Sequence, residues 1–178
     1  MPRWFRSRVL VGVAVTSLFA ASLGAQQLSP RVEKLRTQAE QGDRSAQSIL
    51  GSAYHYGRGV PQDYAEGARW YRKAAEQGHV SAQFSLGNNY HQGEGVPQDD
   101  AEAIKWFRKA AEQGHTLGQY SLGWMYEQGE GVPQDHAEAA KWFRRAAEQG
   151  HAGAQCGLGV MYANGEGVPL DRTESAKW

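Results

Sequence analysis

The chain has 178 residues, 19 basic and 19 acidic side chains, a formal net charge of zero and a single cysteine. Its six tryptophans, eight tyrosines and five phenylalanines supply ample apolar area, which argues against a disordered chain. The single cysteine excludes an intrachain disulfide and a thiolate-cage zinc site, and the zero net charge argues against a dedicated nucleic-acid-binding protein.

The first 25 residues have the three-part pattern of an export signal. Three arginines without an acidic residue precede the uncharged, mostly apolar run 9–23, and two small residues follow it. The run is shorter than the roughly 20 residues that span a bilayer. We therefore expect a signal peptide over 1–25, cut after Ala25 or alternatively after Ser22, and a periplasmic or secreted chain without a stable membrane span. An uncleaved anchor is the other interpretation.

Residues 26–42 are predicted to form a leading cap helix. Residues 39–42 are identical to residues 75–78, which end a helix in the repeats described next. Pro30 is a favoured first residue for such a helix.

The remaining chain, 43–178, is a tandem array in which several positions recur every 36 residues. The recurring positions are Trp70, Trp106, Trp142 and Trp178; Gly42, Gly78, Gly114 and Gly150; Tyr54, Tyr90, Tyr126 and Tyr162; and the string Gly-x-Gly-Val-Pro at 57–61, 93–97, 129–133 and 165–169. A fixed period of this length is typical of stacked supersecondary units. The units are 43–78, 79–114, 115–150 and a partial unit, 151–178.

Each unit is predicted to contain two helices, which makes the fold an all-α solenoid. In the first unit, apolar residues with helical spacing predict helix A over about 45–56. Gly57 suits a left-handed helix cap, and the ring of Pro61 prevents the helix from continuing. Asp63 opens helix B, and with Glu66 it forms a variant of the capping box.

A glycine recurs inside helix A, at Gly51 and the three equivalent positions. Glycine there costs about 1 kcal/mol relative to alanine. Its recurrence therefore predicts that a neighbouring helix approaches closely at this point.

These motifs resemble the Sel-one-like repeat (SLR), a relative of the tetratricopeptide repeat with a longer loop between its helices. The matching strings, over 43–178, are Ala-x-x-x-Leu-Gly-x-x-Tyr, Gly-x-Gly-Val-Pro-x-Asp and Trp-x-x-x-Ala-Ala-Glu-Gln-Gly-His. The resemblance implies a right-handed superhelix that serves as an adaptor or scaffold for other proteins. No cofactor is predicted for this chain. Bacterial relatives are often exported. One branch with paired cysteines is linked to β-lactam binding and hydrolysis, but this chain lacks those pairs.

The histidines do not predict a metal site. His79, His115 and His151 share one repeat position, and His55 and His91 share another. Equivalent residues of stacked helices lie about 10 Å apart, whereas two nitrogens bound to one zinc ion each lie about 2.1 Å from it.

No catalytic residue is predicted either. The recurring carboxylates are equivalent helix caps, whereas acid–base catalysis needs two carboxyl groups in different environments. The basic residues that recur along helix B, represented by Arg72, are interpreted as a solvated face, with an anionic partner as the alternative. The chain is therefore predicted not to be an enzyme.

Partner recognition is expected at the helix A positions that vary between units, because the matching positions of the tetratricopeptide repeat line a concave groove. The candidate aromatic anchors are Phe84, Tyr120 and Trp124, and the candidate polar contacts are Asn88, His55, His91, Glu127 and Gln128. Ordinary packing between repeats is the alternative explanation for each aromatic residue.

The favoured function is an exported, non-catalytic interaction module that binds a peptide or protein in the helix A groove. The alternative is a cell-wall or β-lactam-directed hydrolase, as in the cysteine-rich branch. Carbohydrate binding on the groove aromatics is a third, weaker interpretation.

Overall fold

The computed structural model describes residues 30–178, where every regular element is a helix. The elements are α1 (Pro30–Glu40), α2 (Arg44–Tyr56), α3 (Tyr64–Glu76), α4 (Val80–Gln92), α5 (Asp100–Glu112), α6 (Thr116–Gln128), α7 (His136–Glu148), α8 (Ala152–Asn164) and α9 (Arg172–Lys177). Each helix packs against the next in the chain, which confirms the predicted all-α solenoid of helix pairs.

The expected signal peptide, 1–25, and residues 26–29 of the leading cap lie outside the described residues. Of the described helices, none combines the length and the apolarity that a bilayer crossing requires.

The helices α2, α4, α6 and α8 are the A helices of successive units, and a side chain caps the amino end of each. Asp43 accepts hydrogen bonds from the amides of Ser45 and Ala46 before α2. At the equivalent position before α4, Nδ1 of His79 accepts from the amide of Ala82 at 3.3 Å. His115 and His151 cap α6 and α8 in the same way. The recurring histidines are therefore structural caps.

The carboxyl end of each A helix is closed by the predicted glycine. Gly57 has a φ of 67°, in the left-handed region, and its amide donates to the carbonyl of Ala53. An L side chain is strained in this conformation, which explains why glycine recurs here.

Only half of the predicted capping box forms at the start of the B helices. The carboxylate of Asp63 accepts from the amide of Glu66 at 3.0 Å. Glu66 does not return the bond, because the Asp63 amide already donates to the carbonyl of Tyr54 at 2.9 Å. The Glu66 carboxylate instead accepts from the indole nitrogen of Trp70 at 2.9 Å.

The recurring glycine inside helix A faces an aromatic ring on helix B of the same unit. Gly51 faces the ring of Tyr71, and the two following units pair Gly87 with Phe107 and Gly123 with Phe143. The predicted close approach is therefore present.

The recurring tryptophans join successive units. Trp106 on α5 is buried in a cluster with Tyr71 and Ala74 of the preceding α3 and with Leu86 of α4. Because each tryptophan contacts its own unit and the one before it, no unit buries its apolar face alone.

Buried glutamines connect the units by hydrogen bonds. Nε2 of Gln83 donates to the carbonyl of Ala75 at 3.2 Å, and Oε1 of Gln83 accepts from Gln113 at 2.7 Å. Gln47 and Gln119 make the equivalent pair of bonds. The glutamines thus give a second hydrogen bond to helix-end carbonyls that also accept from a backbone amide.

The loops after α4, α6 and α8 each pack on the preceding unit. Gly131, with a φ of 68°, lies so close to the first residue of α5 that a Cβ there would be 2.6 Å from the carbonyl carbon of Asp100. Gly95 and Gly167 lie in the same way on Tyr64 and His136. This contact fixes the loop of one unit against helix B of the unit before it.

Candidate functional site

A cavity of about 220 Å³ opens at the junction of the second and third units. Its walls come from α4, α5 and α6, and its lining residues are Asn88, His91, Phe107, Tyr120, Ser121, Trp124 and Met125. The lining combines apolar rings with an amide, an imidazole and a hydroxyl group. Such a site holds an apolar group and orients polar atoms at its edge.

Four of the eight sequence-predicted residues meet at this cavity: Asn88 and His91 from α4, and Tyr120 and Trp124 from α6. The imidazole of His91 stands edge-on to the indole of Trp124, with the ring centroids 5.9 Å apart. All four side chains are half-buried, so each presents part of its surface to the cavity.

Phe84 does not line the cavity. Its ring packs between the units, with centroids 5.7 Å from Phe107 and 4.8 Å from His115. Tyr120 makes the equivalent contact, 4.3 Å from His151, yet still reaches the cavity. Phe84 is half-buried and packs between the units, which is the alternative given above for each aromatic residue.

His55, Glu127 and Gln128 also lie away from the cavity. The ring of His55 contacts Tyr56 and Tyr64 with centroids 4.5 and 5.0 Å apart. Glu127 is half-buried and Gln128 is exposed, and Nε2 of Gln128 donates to the Glu127 carboxylate at 3.3 Å. The structure thus gathers half of the predicted groove residues and separates the rest.

Sequence reasoning missed three residues of the cavity wall. Phe107 and Met125 belong to the buried core, and their periodicity predicts only packing. Ser121 occupies a helix A position that was not among the candidates. This position also varies between units, with Ile49 in the first and Gly157 in the fourth, and that variation could have identified Ser121 as a candidate.

Two of the capping histidines, His79 and His115, have a pKa that favours the neutral ring. Burial lowers the pKa of His115, and it lowers the pKa of His79, where the positive charge of Arg44 acts in the same direction. A neutral ring leaves Nδ1 free to accept the backbone hydrogen bond, which a doubly protonated imidazolium cannot do.

The basic residues of helix B bond within the array. Arg72 donates to the hydroxyl of Tyr90 in the next unit, and Arg108 and Arg144 make the equivalent bonds. Arg69 pairs with Glu66 at 2.6 Å. Arg69 is thus exposed, as a solvated face requires, whereas Arg72 and its equivalents also bond to the next unit.

The family model of the Sel1 repeat matches residues 44–79, 80–115, 116–151 and 152–178. A protective antigen of uropathogenic Escherichia coli, which displays an SLR fold, is 44% identical with a TM-score of 0.80 over 83% of this chain. The match spans 32% of the length of that antigen. A Sel1 repeat protein from Oxalobacter formigenes is 36% identical with a TM-score of 0.80, over 92% of this chain and 67% of its own.

Cysteine-rich protein B of Helicobacter pylori is 21% identical with a TM-score of 0.58, over 72% of this chain and 94% of its own. This likeness shows the fold alone. No curated protein is significantly similar to the chain.

Proposed function

The chain belongs to the Sel1 repeat family, whose members generally mediate protein–protein interactions, and from this premise we propose that it binds a peptide or protein segment in the concave helix A groove. The supporting observation is the convergence of Asn88, His91, Tyr120 and Trp124, from two neighbouring units, on one cavity. These are positions at which the repeats differ, so they shape a surface that the scaffold itself does not require.

The size and lining of the cavity favour a single side chain as its occupant. Its volume of about 220 Å³ is below the range of roughly 300–1,000 Å³ that is usual for small-molecule sites. Trp124 and Tyr120 offer ring surface to an apolar or aromatic side chain, while Asn88 and Ser121 offer hydrogen bonds to the backbone that carries it. Rigid aromatic residues of this kind dominate the binding energy of protein interfaces.

The family is generally a non-catalytic repeat scaffold, and we propose the same for this chain. Purified protein is expected not to turn over nitrocefin or muropeptides. Turnover that persists through purification would favour the cell-wall or β-lactam-directed hydrolase instead.

The site of action that we propose is outside the cytoplasm, periplasmic or secreted, because the first 25 residues have the composition of an export signal. Fractionation of the producing cells and amino-terminal sequencing test this. A mature chain that starts at Gln26, or at Leu23, is expected. A chain that keeps Met1 and stays in the cytoplasm would contradict it.

The test of groove binding is photo-crosslinking in the producing cells, with a photoreactive residue in place of Asn88, followed by mass spectrometry. Two variants then challenge the captured complex: Trp124→Ala removes an anchor, and Ser121→Phe fills the cavity without removing a large contact. Each is expected to weaken binding of the identified partner by about 2 kcal/mol, or roughly 30-fold.

The control is Lys105→Ala, which changes an exposed residue of helix B. It is expected to leave binding unchanged. Circular dichroism and the midpoint of thermal unfolding establish that the groove variants remain folded. Equal binding by the wild type and both folded groove variants would contradict the proposed site.

A further inference from the structure

The same junction also brings together three side chains of the types that bind metal ions in proteins. One ring nitrogen of His91 and one carboxylate oxygen from each of Asp100 and Glu130 lie within 4.8 Å of one another. Nδ1 of His91 is 2.8 Å from Oδ1 of Asp100. All three residues are half-buried, which limits the water that competes for them.

The backbone holds these groups in place. His91 is in the last turn of α4, and Asp100 is the first residue of α5 in the same unit. Glu130 comes from the next unit and directly precedes Gly131, whose backbone packs on Asp100. The three residues occupy different repeat positions, so they are not separated by the distance of about 10 Å between equivalent residues of stacked helices.

The charge of the cluster is not balanced by the protein. Among residues 30–178, neither Asp100 nor Glu130 forms an ion pair with a lysine or arginine, and the only paired cation is the imidazole of His91 when it is protonated. Two carboxylates held close together in a half-buried position repel each other, and a divalent cation removes that repulsion.

We propose that His91, Asp100 and Glu130 bind a divalent transition-metal ion, with Zn²⁺ as the ion that fits the donor set. One imidazole and two carboxylates supply three ligands, which leaves a position for water or for an oxygen atom of a bound segment. Binding of the ion replaces the hydrogen bond between His91 and Asp100, whose proton is released to solvent, and joins the second unit to the third. Because His91 also lines the cavity, the ion lies beside the proposed peptide groove, but its binding does not depend on that function.

The equivalent positions at the other two junctions carry different residues, which provide controls for the proposal. The preceding junction has His55, Tyr64 and Glu94, with Nε2 of His55 3.6 Å from the Glu94 carboxylate. Tyr64 there replaces the carboxylate of Asp100. The following junction has Glu127, His136 and Glu166, and the three ligand atoms of that set do not all lie within 4.8 Å of one another.

The experiment is calorimetric titration of Zn²⁺ into the tag-free, chelator-treated chain, with bound metal counted by elemental analysis. Asp100→Asn and Glu130→Gln keep the shape of each side chain and remove its charge. Each is expected to weaken Zn²⁺ binding at least about tenfold, since loss of even an outer-shell partner typically costs that much. Zn²⁺ is also expected to raise the unfolding midpoint of the wild type more than that of either variant.

The matched control is Glu94→Gln at the preceding junction, which is expected to bind Zn²⁺ like the wild type. A gain-of-function variant, Tyr64→Asp, completes the donor set there and is expected to bind one additional ion per chain. Wild-type Zn²⁺ binding by both Asp100→Asn and Glu130→Gln, or a stoichiometry that Tyr64→Asp does not raise, would overturn the proposal.

Discussion

The ring of Phe107 occupies the space that a side chain at Gly87 would need. A Cβ atom at Gly87 would lie 2.6 Å from Cδ1 of Phe107, and Phe107 is only 1% exposed. The ring is buried and also borders the cavity between the units, so a Cβ at Gly87 would force the ring or one of the two helices to shift. Helices α4 and α5 are thus held at a separation that only glycine permits.

Gly87→Ala is therefore expected to destabilise the chain although alanine is the better helix former. The gain in helix propensity is about 1 kcal/mol, and overpacking of a filled core typically costs about 1–3 kcal/mol. We expect the free energy of unfolding to fall by up to about 2 kcal/mol in urea denaturation.

Gly157→Ala is the matched control on α8. A Cβ atom there would be 3.5 Å from the nearest atom of Phe143, which is ordinary van der Waals contact. It is expected to raise stability by up to about 1 kcal/mol. If both alanine variants change stability in the same direction, the steric argument is wrong.

Asn89 is expected to be a weak point of the core. It is 1% exposed, and neither polar atom of its side chain has a hydrogen-bond partner among the described residues. The equivalent residues in the other units are Ala53, Met125 and Met161. Asn89→Met is expected to raise the free energy of unfolding by about 1–2 kcal/mol, because an unpaired buried amide costs that much. The reverse change, Met125→Asn, should destabilise, and a stable Met125→Asn variant would refute this account.

Gln119 is expected to contribute more stability than its equivalent in the fourth unit. Its amide donates to the carbonyl of Ala111 at 3.1 Å, and its oxygen accepts from Gln149 at 2.6 Å. Gln119→Leu removes both hydrogen bonds, while the Ala111 carbonyl keeps its bond from the Gly114 amide, and it should cost about 1–2 kcal/mol. Gln155→Leu, which removes one bond to Ala147, should cost about half as much. Equal losses in the two urea titrations would argue against the two-bond role of Gln119.

His115 is expected to make stability depend on pH. Its folded-state pKa is lowered, so the unfolded chain binds its proton first as the pH falls. The stabilising contribution is complete above the ordinary histidine pKa of about 6.5 and is lost as the pH falls from there through the lower folded-state value. His115→Asn keeps an acceptor for the helix cap and removes the titration.

The measurement is urea denaturation of both proteins between about pH 7.5 and 5.5. The wild type should lose more stability than His115→Asn over this interval, whatever their difference at pH 7.5. Parallel pH profiles would show that His115 does not titrate differently on folding.

The scaffold was predictable because the residues that begin and end its helices recur in every 36-residue unit. Gly57 and Asp63 mark helix boundaries through backbone conformation and capping, which depend on residues close in sequence. The capping role of His79 was not predicted, since histidine is an uncommon cap. The available signal was Asp43, a favoured cap residue one repeat earlier at the same position.

The site was only partly predictable. Trp124 and Asn88 were identified because their positions vary between units, but Phe84 varies too and packs against His115 of the next unit. The difference depends on how closely two units approach, which no local pattern encodes. Asp100 and Glu130 were missed because their proximity arises only across a junction.

The loop glycines Gly95, Gly131 and Gly167 pack on helix B of the preceding unit, and this contact bears on how such arrays evolve by gene rearrangement. The side chains exposed at a junction come from two units, whereas the glycine contacts that hold the two units together recur along the array. Shuffling or duplicating whole units would therefore preserve the architecture and create new neighbours. Diversity in what such proteins recognise can then come from recombination, before any single residue changes.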